Sequence, residues 1–252
     1  MKWVLGFYTT LVYLFMYLPI AVIILFSFSQ SEILSLPISG WTFNWYHEAL
    51  QDDRLKAGLA NSLKIAFTAT ALASILGTLG ALAVQRYPFF GRTAFRATVI
   101  LPILLPGIIT GVAMLSFFAT IGLPLGLMTV IIGHTTFGFP IVFNTVASRL
   151  ARLPKNLEEA AADLGANPRQ TFQKVLFPSM RSAIIAGALL AFTLSFDEII
   201  VTLFLTGQQN TLPTEIWARL RFGMTPEINA TVTMILILSC ALVIFSQRFS
   251  KE

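Results

Sequence analysis

The sequence predicts an all-α membrane protein with six transmembrane helices, and three observations predict it. Of 252 residues, 56% are hydrophobic and only 12% are charged, and the mean hydropathy is +0.76, well outside the composition of a soluble domain. The apolar residues gather into six windows of bilayer length, because a hydrocarbon core about 30 Å thick needs roughly 20 residues of helix. These windows are solid blocks, whereas a spanning β-barrel would show roughly ten-residue alternating segments. Residues 1–252 therefore read as one transmembrane domain.

The first window, Trp3–Ser29, is far longer than the apolar region of a secretory signal and no A-x-A cleavage pattern follows, so it reads as a retained span. The next three are Leu63–Val84, Thr98–Ile121 and Leu123–Ala147. Pro102, Pro106, Gly107 and Gly111 in the third, and Gly133, Gly138 and Pro140 in the fourth, suit kinks and close helix packing, and a gate built on Pro102–Gly111 is the alternative. His134 in the fourth reads as a satisfied core histidine. The fifth and sixth windows are Ala183–Thr206 and Ala230–Ser246, and the single cysteine, Cys240, excludes an intrachain disulfide.

Orientation follows from the lysines and arginines, which are held on the cytoplasmic side in short loops. With both termini inside, the cytoplasmic set is Lys2, Arg86, Arg92, Arg96, Arg149, Arg152, Lys155, Arg169, Lys174, Arg181, Arg248 and Lys251, twelve of seventeen. The net charge of +5 is thus spread over membrane-flanking loops and calls for no nucleic acid.

Three connections are long: 30–62 and 207–229 outside, 148–181 inside. Loops of that length are uncommon unless they work. The cytoplasmic one has helical grammar. Asn156 can cap a helix whose first turn carries Glu158 and Glu159, and Leu157, Ala160, Ala161 and Leu164 recur at helical spacing. Gly165 stands where a helix-ending glycine would, and Asn167-Pro168 with Gln170 restarts a second helix. The result is a helix-glycine-helix elbow, about 149–181, with a small apolar face. That face suits a groove on another protein; the alternative is a helix resting on the lipid headgroups.

The segment Glu159-Ala160-Ala161-x3-Gly165, followed nine residues later by Val175-Leu176-Phe177-Pro178, resembles the EAA motif of ABC-transporter permeases. Val175 and Phe177 depart from the usual Ile and Leu, and both stay apolar. YLPIAVIILFSFS at Tyr17–Ser29, with LSFDEIIVTLFLTG and TLPTEIWARLRFGMTPEINA further on, is similar to the polyamine (spermidine/putrescine) branch. The resemblance implies a type I (MetI-like) importer permease of the bacterial inner membrane. It implies a coupling role for Glu158, Glu159, Ala160, Ala161, Leu164 and Gly165 against a cytoplasmic ATPase dimer. That dimer binds ATP and Mg, and no cofactor belongs to this chain. A second, homologous permease subunit and an extracytoplasmic substrate-binding protein complete the implied assembly. Other solutes of the same family (an opine, an amino-acid-like cation, ferric iron) and an ATP-independent carrier are the competing readings; no inverted repeat or coupling-ion ligand set favours the last.

In the fifth window the only charges are Asp197 and Glu198. A carboxylate there costs roughly 2.5–3.5 kcal/mol on insertion scales, and at about 1.5 Å per residue the pair lies some 5 Å from the midplane, toward the outer side. Leu190, Thr193, Leu194, Asp197, Val201 and Phe204 share a helical stripe, which places Asp197 on a pore side with Thr193. Asp197, with Glu198, can offer negative charge to a cationic substrate. The alternatives are neutralisation, a basic partner on another subunit, or the capping of a broken helix. Trp45, in WTFNWY at 41–46, is a candidate cation-lining aromatic or an interfacial anchor. There is no GxxxxGK[ST] loop and no HExxH, and the two histidines, His47 and His134, lie on separate segments, so nothing points to an enzyme.

Overall fold

The computed structural model describes residues 2–154 and 156–249, and among these residues the chain is helical with no β-strand. Lys155 and Lys251 of the basic set lie outside the described residues. The helices in order are α1 Lys2–Phe26, α2 Asn44–Gln51, α3 Asp53–Arg86, α4 Arg92–Leu104, α5 Gly107–Thr120, α6 Leu127–Ala151, α7 Asn156–Asp163, α8 Pro168–Thr171, α9 Phe177–Asp197, α10 Ile200–Leu205, α11 Leu212–Leu220 and α12 Pro226–Phe249. A wide π-turn, Phe172–Leu176, joins α8 to α9.

Four helical stretches are long and apolar enough to cross a bilayer: α1, α3, α6 and the run Pro168–Asp197. The third window is not one straight span. It breaks between Leu104 and Gly107 into α4 and α5, bent by 107°, because Pro106 carries no N–H to continue the helix and Leu105 before it is extended. The fifth window is broken too, between α9 and α10. Pro226–Ile237 of α12 forms a shorter apolar helical stretch among the described residues.

The chain divides into two compact units, Met1–Lys56 with Glu215–Glu252, and Ala57–Thr214. In the larger unit α3 buries a stripe of small residues at helical spacing, Gly58, Ser62, Ala66, Ala69, Ala73, Gly77 and Ala81. This lets α6 come close: a Cβ on Gly77 would lie 2.9 Å from the Phe143 backbone nitrogen. One core cluster joins α3, α4, α6 and α9 through Ala73, Val84, Val99, Phe143, Val146 and Met180. A second joins α3, α5, α6 and α10 through Ile65, Phe118, Val130, Val201 and Leu205.

In the smaller unit α1 buries no residue against the rest of the chain, as befits a helix facing lipid or a partner. Trp45 Nε1 donates to the Ser29 carbonyl at 2.7 Å and Tyr46 hydroxyl meets Ser27 Oγ at 2.6 Å. The Arg219 guanidinium binds three carboxylates, Asp52 at 2.7 Å, Glu227 at 3.0 Å and Glu215 at 3.1 Å. Burial alone would raise the Asp52 carboxyl, but the Leu55 N–H and Arg219 outweigh it and hold the group below its ordinary value. Burial likewise opposes the charge on Arg219, and Asp52 and Glu215 more than restore it, so its pKa rises.

Candidate functional site: a broken apolar helix and a helix-glycine-helix elbow

Helix α9 ends at Asp197 because Glu198 adopts an extended backbone (φ −73°, ψ 120°). The last-turn carbonyls of α9 then lack helical N–H partners, and the negative end of the helix dipole opens at the break. Asp197 is exposed on this chain, and its carboxylate has no hydrogen bond or ion pair among the described residues. Glu198 is different. Its Oε1 accepts the Val201 N–H at 2.9 Å, so the side chain caps the first turn of α10. Thr193 is exposed and donates to the Leu189 carbonyl at 2.9 Å. Leu190, Thr193, Leu194 and Asp197 do share one exposed face. The stripe stops there: Val201, expected on the same face, is buried, because the backbone changes direction at 198.

Segment α10 is seated between α5 and α6. A Cβ on Gly111 would stand 2.5 Å from Phe204, and one on Gly133 would stand 2.7 Å from Leu205, so glycine at both positions makes the groove. At its far end the Leu205 carbonyl accepts from Gly126 N at 3.1 Å and Thr129 Oγ1 at 2.8 Å. His134 is buried and fully engaged, as the satisfied-core reading expects. Its Nδ1 meets Ser195 Oγ of α9 at 2.8 Å and its Nε2 meets Thr202 Oγ1 of α10 at 2.9 Å, which ties together the two sides of the break. Trp45 belongs to the other unit, where its indole N–H is occupied by Ser29.

The glycine stop and the second cap of the elbow form as their local signals predict, whereas Asn156, expected as the first cap, is instead the first residue of α7. Gly165 has φ +81°, Ala166 N–H reaches the Ala161 carbonyl at 3.0 Å and Gly165 N–H reaches Ala162 at 2.9 Å, a left-handed helix stop. Asn167 and Gln170 then cap each other, both bonds at 2.9 Å. Leu164 is 89% exposed, and Glu159, Ala160 and Gly165 also face outward, whereas Ala161 is buried. Glu158 turns inward to Arg86, the last residue of α3, with Oε1 2.7 Å from Nε. The approach is close but the N–H is poorly aligned for a hydrogen bond, and Arg86 Nη2 is buried without a partner. A cavity of about 480 Å³ lies beside this pair, lined by Leu79, Leu82, Ala162, Phe172 and Leu176 among others.

The chain that carries this broken apolar span and the elbow before it has relatives among known proteins. Residues 69–251 match the family of binding-protein-dependent transport system inner membrane components. The chain belongs to that family. It is 35% identical over 242 residues to the spermidine/putrescine transport system permease protein PotC of Haemophilus influenzae, covering 96% of this chain and 94% of that one. It is 38% identical over 230 residues to the putrescine transport system permease protein PotI of Escherichia coli, covering 88% and 82%. A bacterial ABC transporter involved in the import of the acidic polysaccharide alginate shares the fold, with a TM-score of 0.74 at 20% identity over 98% of this chain and 95% of that one. The chain is therefore a multi-pass membrane permease with an ABC importer permease fold.

Two functional-looking contacts are invisible in the local sequence. Arg86 reads there only as a topology-setting cation, and the partners of His134 lie 61 and 68 residues away.

Proposed function

We propose that this permease forms the translocation path of an ATP-driven importer for polyamines, with Asp197 facing the cationic cargo. The supporting observation is the asymmetry of the acidic pair. Glu198 is engaged by its own chain, whereas Asp197 presents an unpaired carboxylate at the negative end of a broken intramembrane helix. A cation entering such a site loses hydration, and a preset carboxylate with free carbonyls offsets part of that loss. The family supports the rest: its name describes transport dependent on a binding protein, and relatives at 35% and 38% identity bear names of spermidine and putrescine permeases.

The termini lie in the cytoplasm on this reading, and the outer loops, with Trp45 in an interfacial role, receive an extracytoplasmic binding protein. A second, homologous permease completes the path. Closure of a cytoplasmic ATPase dimer, which holds ATP and Mg, pushes on Leu164 and its exposed neighbours and rocks the attached α9, alternating access between the two sides. Catalysis belongs to the ATPase.

The test is uptake of labelled spermidine and putrescine by membranes carrying the whole assembly. Asp197→Asn lowers uptake by about tenfold while assembly and basal ATP hydrolysis persist, a loss of roughly one charge-assisted contact; normal uptake kinetics would refute the cargo role. Leu164→Glu, on a residue already in solvent, leaves the permease folded and strips the ATPase from it on purification.

A further inference from the structure

We infer that Glu198 and His134 are positioning residues for Asp197, forming with Ser195 and Thr202 a buried brace that holds the helix break open. This rests on the cargo role of Asp197 given above. The brace is closed at every hydroxyl. Thr202 Oγ1 donates its only proton to the Glu198 carbonyl at 2.9 Å, so it accepts from His134 Nε2–H at 2.9 Å. The imidazole is then neutral at Nδ1, which accepts from Ser195 Oγ at 2.8 Å. Ser195 sits on the last turn of α9 and Thr202 on the first turn of α10, so a single side chain from α6 fixes the ends of both segments.

Glu198 supplies the other half. Its carbonyl is held by Thr202 and its carboxylate by the Val201 N–H, so both of its polar ends stabilise the non-helical conformation that terminates α9. Its negative charge lies on the positive end of α10 and needs no cargo. Were residue 198 helical, α9 would run on, its last-turn carbonyls would be filled by N–H groups and Asp197 would sit mid-helix. The brace therefore converts a carboxylate on a helix into a carboxylate beside free carbonyls, a constellation that matches an ammonium group.

The chemistry separates a positioning Glu198 from a cargo-binding one, because glutamine keeps the acceptor oxygen and loses the charge. In the intact transporter, initial uptake rates of spermidine and putrescine are measured against concentration for Glu198→Gln, Glu198→Ala, His134→Ala and Asp197→Asn, normalised to assembled complex. Glu198→Gln keeps uptake within about twofold, since the cap to Val201 survives, whereas Glu198→Ala lowers the maximal rate by about fivefold, the loss of one cap. His134→Ala, which strands the buried Ser195 hydroxyl and unties the break, lowers it by on the order of tenfold. Equal losses in Glu198→Gln and Glu198→Ala with a raised KM would overturn the positioning role and make Glu198 a cargo ligand; no loss in Glu198→Ala would overturn it as well. Unchanged kinetics in Asp197→Asn would strike the cargo reading of Asp197 instead, a separate result.

Discussion

Among the described residues the ion pair between Arg86 and Glu158 links the elbow to a span, and breaking it has unequal consequences for its two members. At 2.7 Å and an effective dielectric near 20, the gross attraction is about 6 kcal/mol. Most of that is offset by the desolvation of an arginine whose side chain is only 9% exposed. A net coupling of about 1–3 kcal/mol remains, equivalent to roughly 5–150-fold in a coupled equilibrium. Arg86→Gln leaves Glu158, which is 31% exposed and able to turn to water, and costs about 1 kcal/mol. Glu158→Gln strands the buried guanidinium, whose Nη2 already lacks a partner, and costs about 3 kcal/mol. The assay is a double-mutant cycle read in two ways on the assembled transporter, thermal stability and solute taken up per ATP hydrolysed. Glu158→Gln is the more damaging single change, the double variant is less damaged than the sum of the singles, and hydrolysis outlasts uptake. Strict additivity of the two changes, or a milder effect for Glu158→Gln, would refute a link between elbow and span.

Three further outcomes follow from the packing. Gly77→Ala puts a Cβ 2.9 Å from the Phe143 backbone nitrogen and 2.8 Å from Val142 Cβ; α3 and α6 must separate, at about 1–3 kcal/mol, read as a lower melting temperature of the purified permease. Trp45→Phe removes the indole N–H from the Ser29 carbonyl and costs about 1 kcal/mol of stability, with uptake per folded molecule retained if the residue is an anchor. Arg219→Ala removes the guanidinium that bridges Asp52, Glu215 and Glu227 and lowers stability by about 3 kcal/mol. The acid limb moves with it. Asp52 is held below its ordinary 3.8, so its contribution is present above that pH and is lost as the pH falls through the lower folded-state value. Without Arg219 the burial effect gains weight and the loss begins at higher pH, measurable as melting temperature against pH.

What could be read from the residues in order was whatever is decided locally. The elbow is local: Gly165 and the Asn167–Gln170 exchange act within three or four residues, and the structure forms them as expected. Spans are local in a different sense, because length and apolarity are set by the bilayer and need no partner. The 107° bend at Pro106 was signalled by its prolines but not in its size. The break at Glu198 was hinted at only by the acidic pair, for which the capping of a broken helix was one alternative, the one Glu198 adopts. Ser-Phe-Asp-Glu-Ile contains neither glycine nor proline, and the interruption is held by His134, 61 residues from Ser195 and 68 from Thr202. For the same reason a helical projection through the fifth window put Val201 beside Asp197 when it is buried. Arg86 and Glu158, 72 positions apart by their numbers, show the limit again, since a basic residue at a span end looks alike whether it meets water or a carboxylate.

The wide turn at Phe172–Leu176, closed by the Phe177 N–H on the Phe172 carbonyl, stores one residue more than an α-helical turn would hold. That surplus residue adds length to the chain but no rotation to the helix beyond it. A homologue lacking one amino acid there could tighten the loop into ordinary helix and still aim its acidic residue in the same direction, whereas one residue added between Met180 and Ser195 would swing that acid by about 100°. Length variation is thus silent in one short stretch of this protein and ruinous a few residues later.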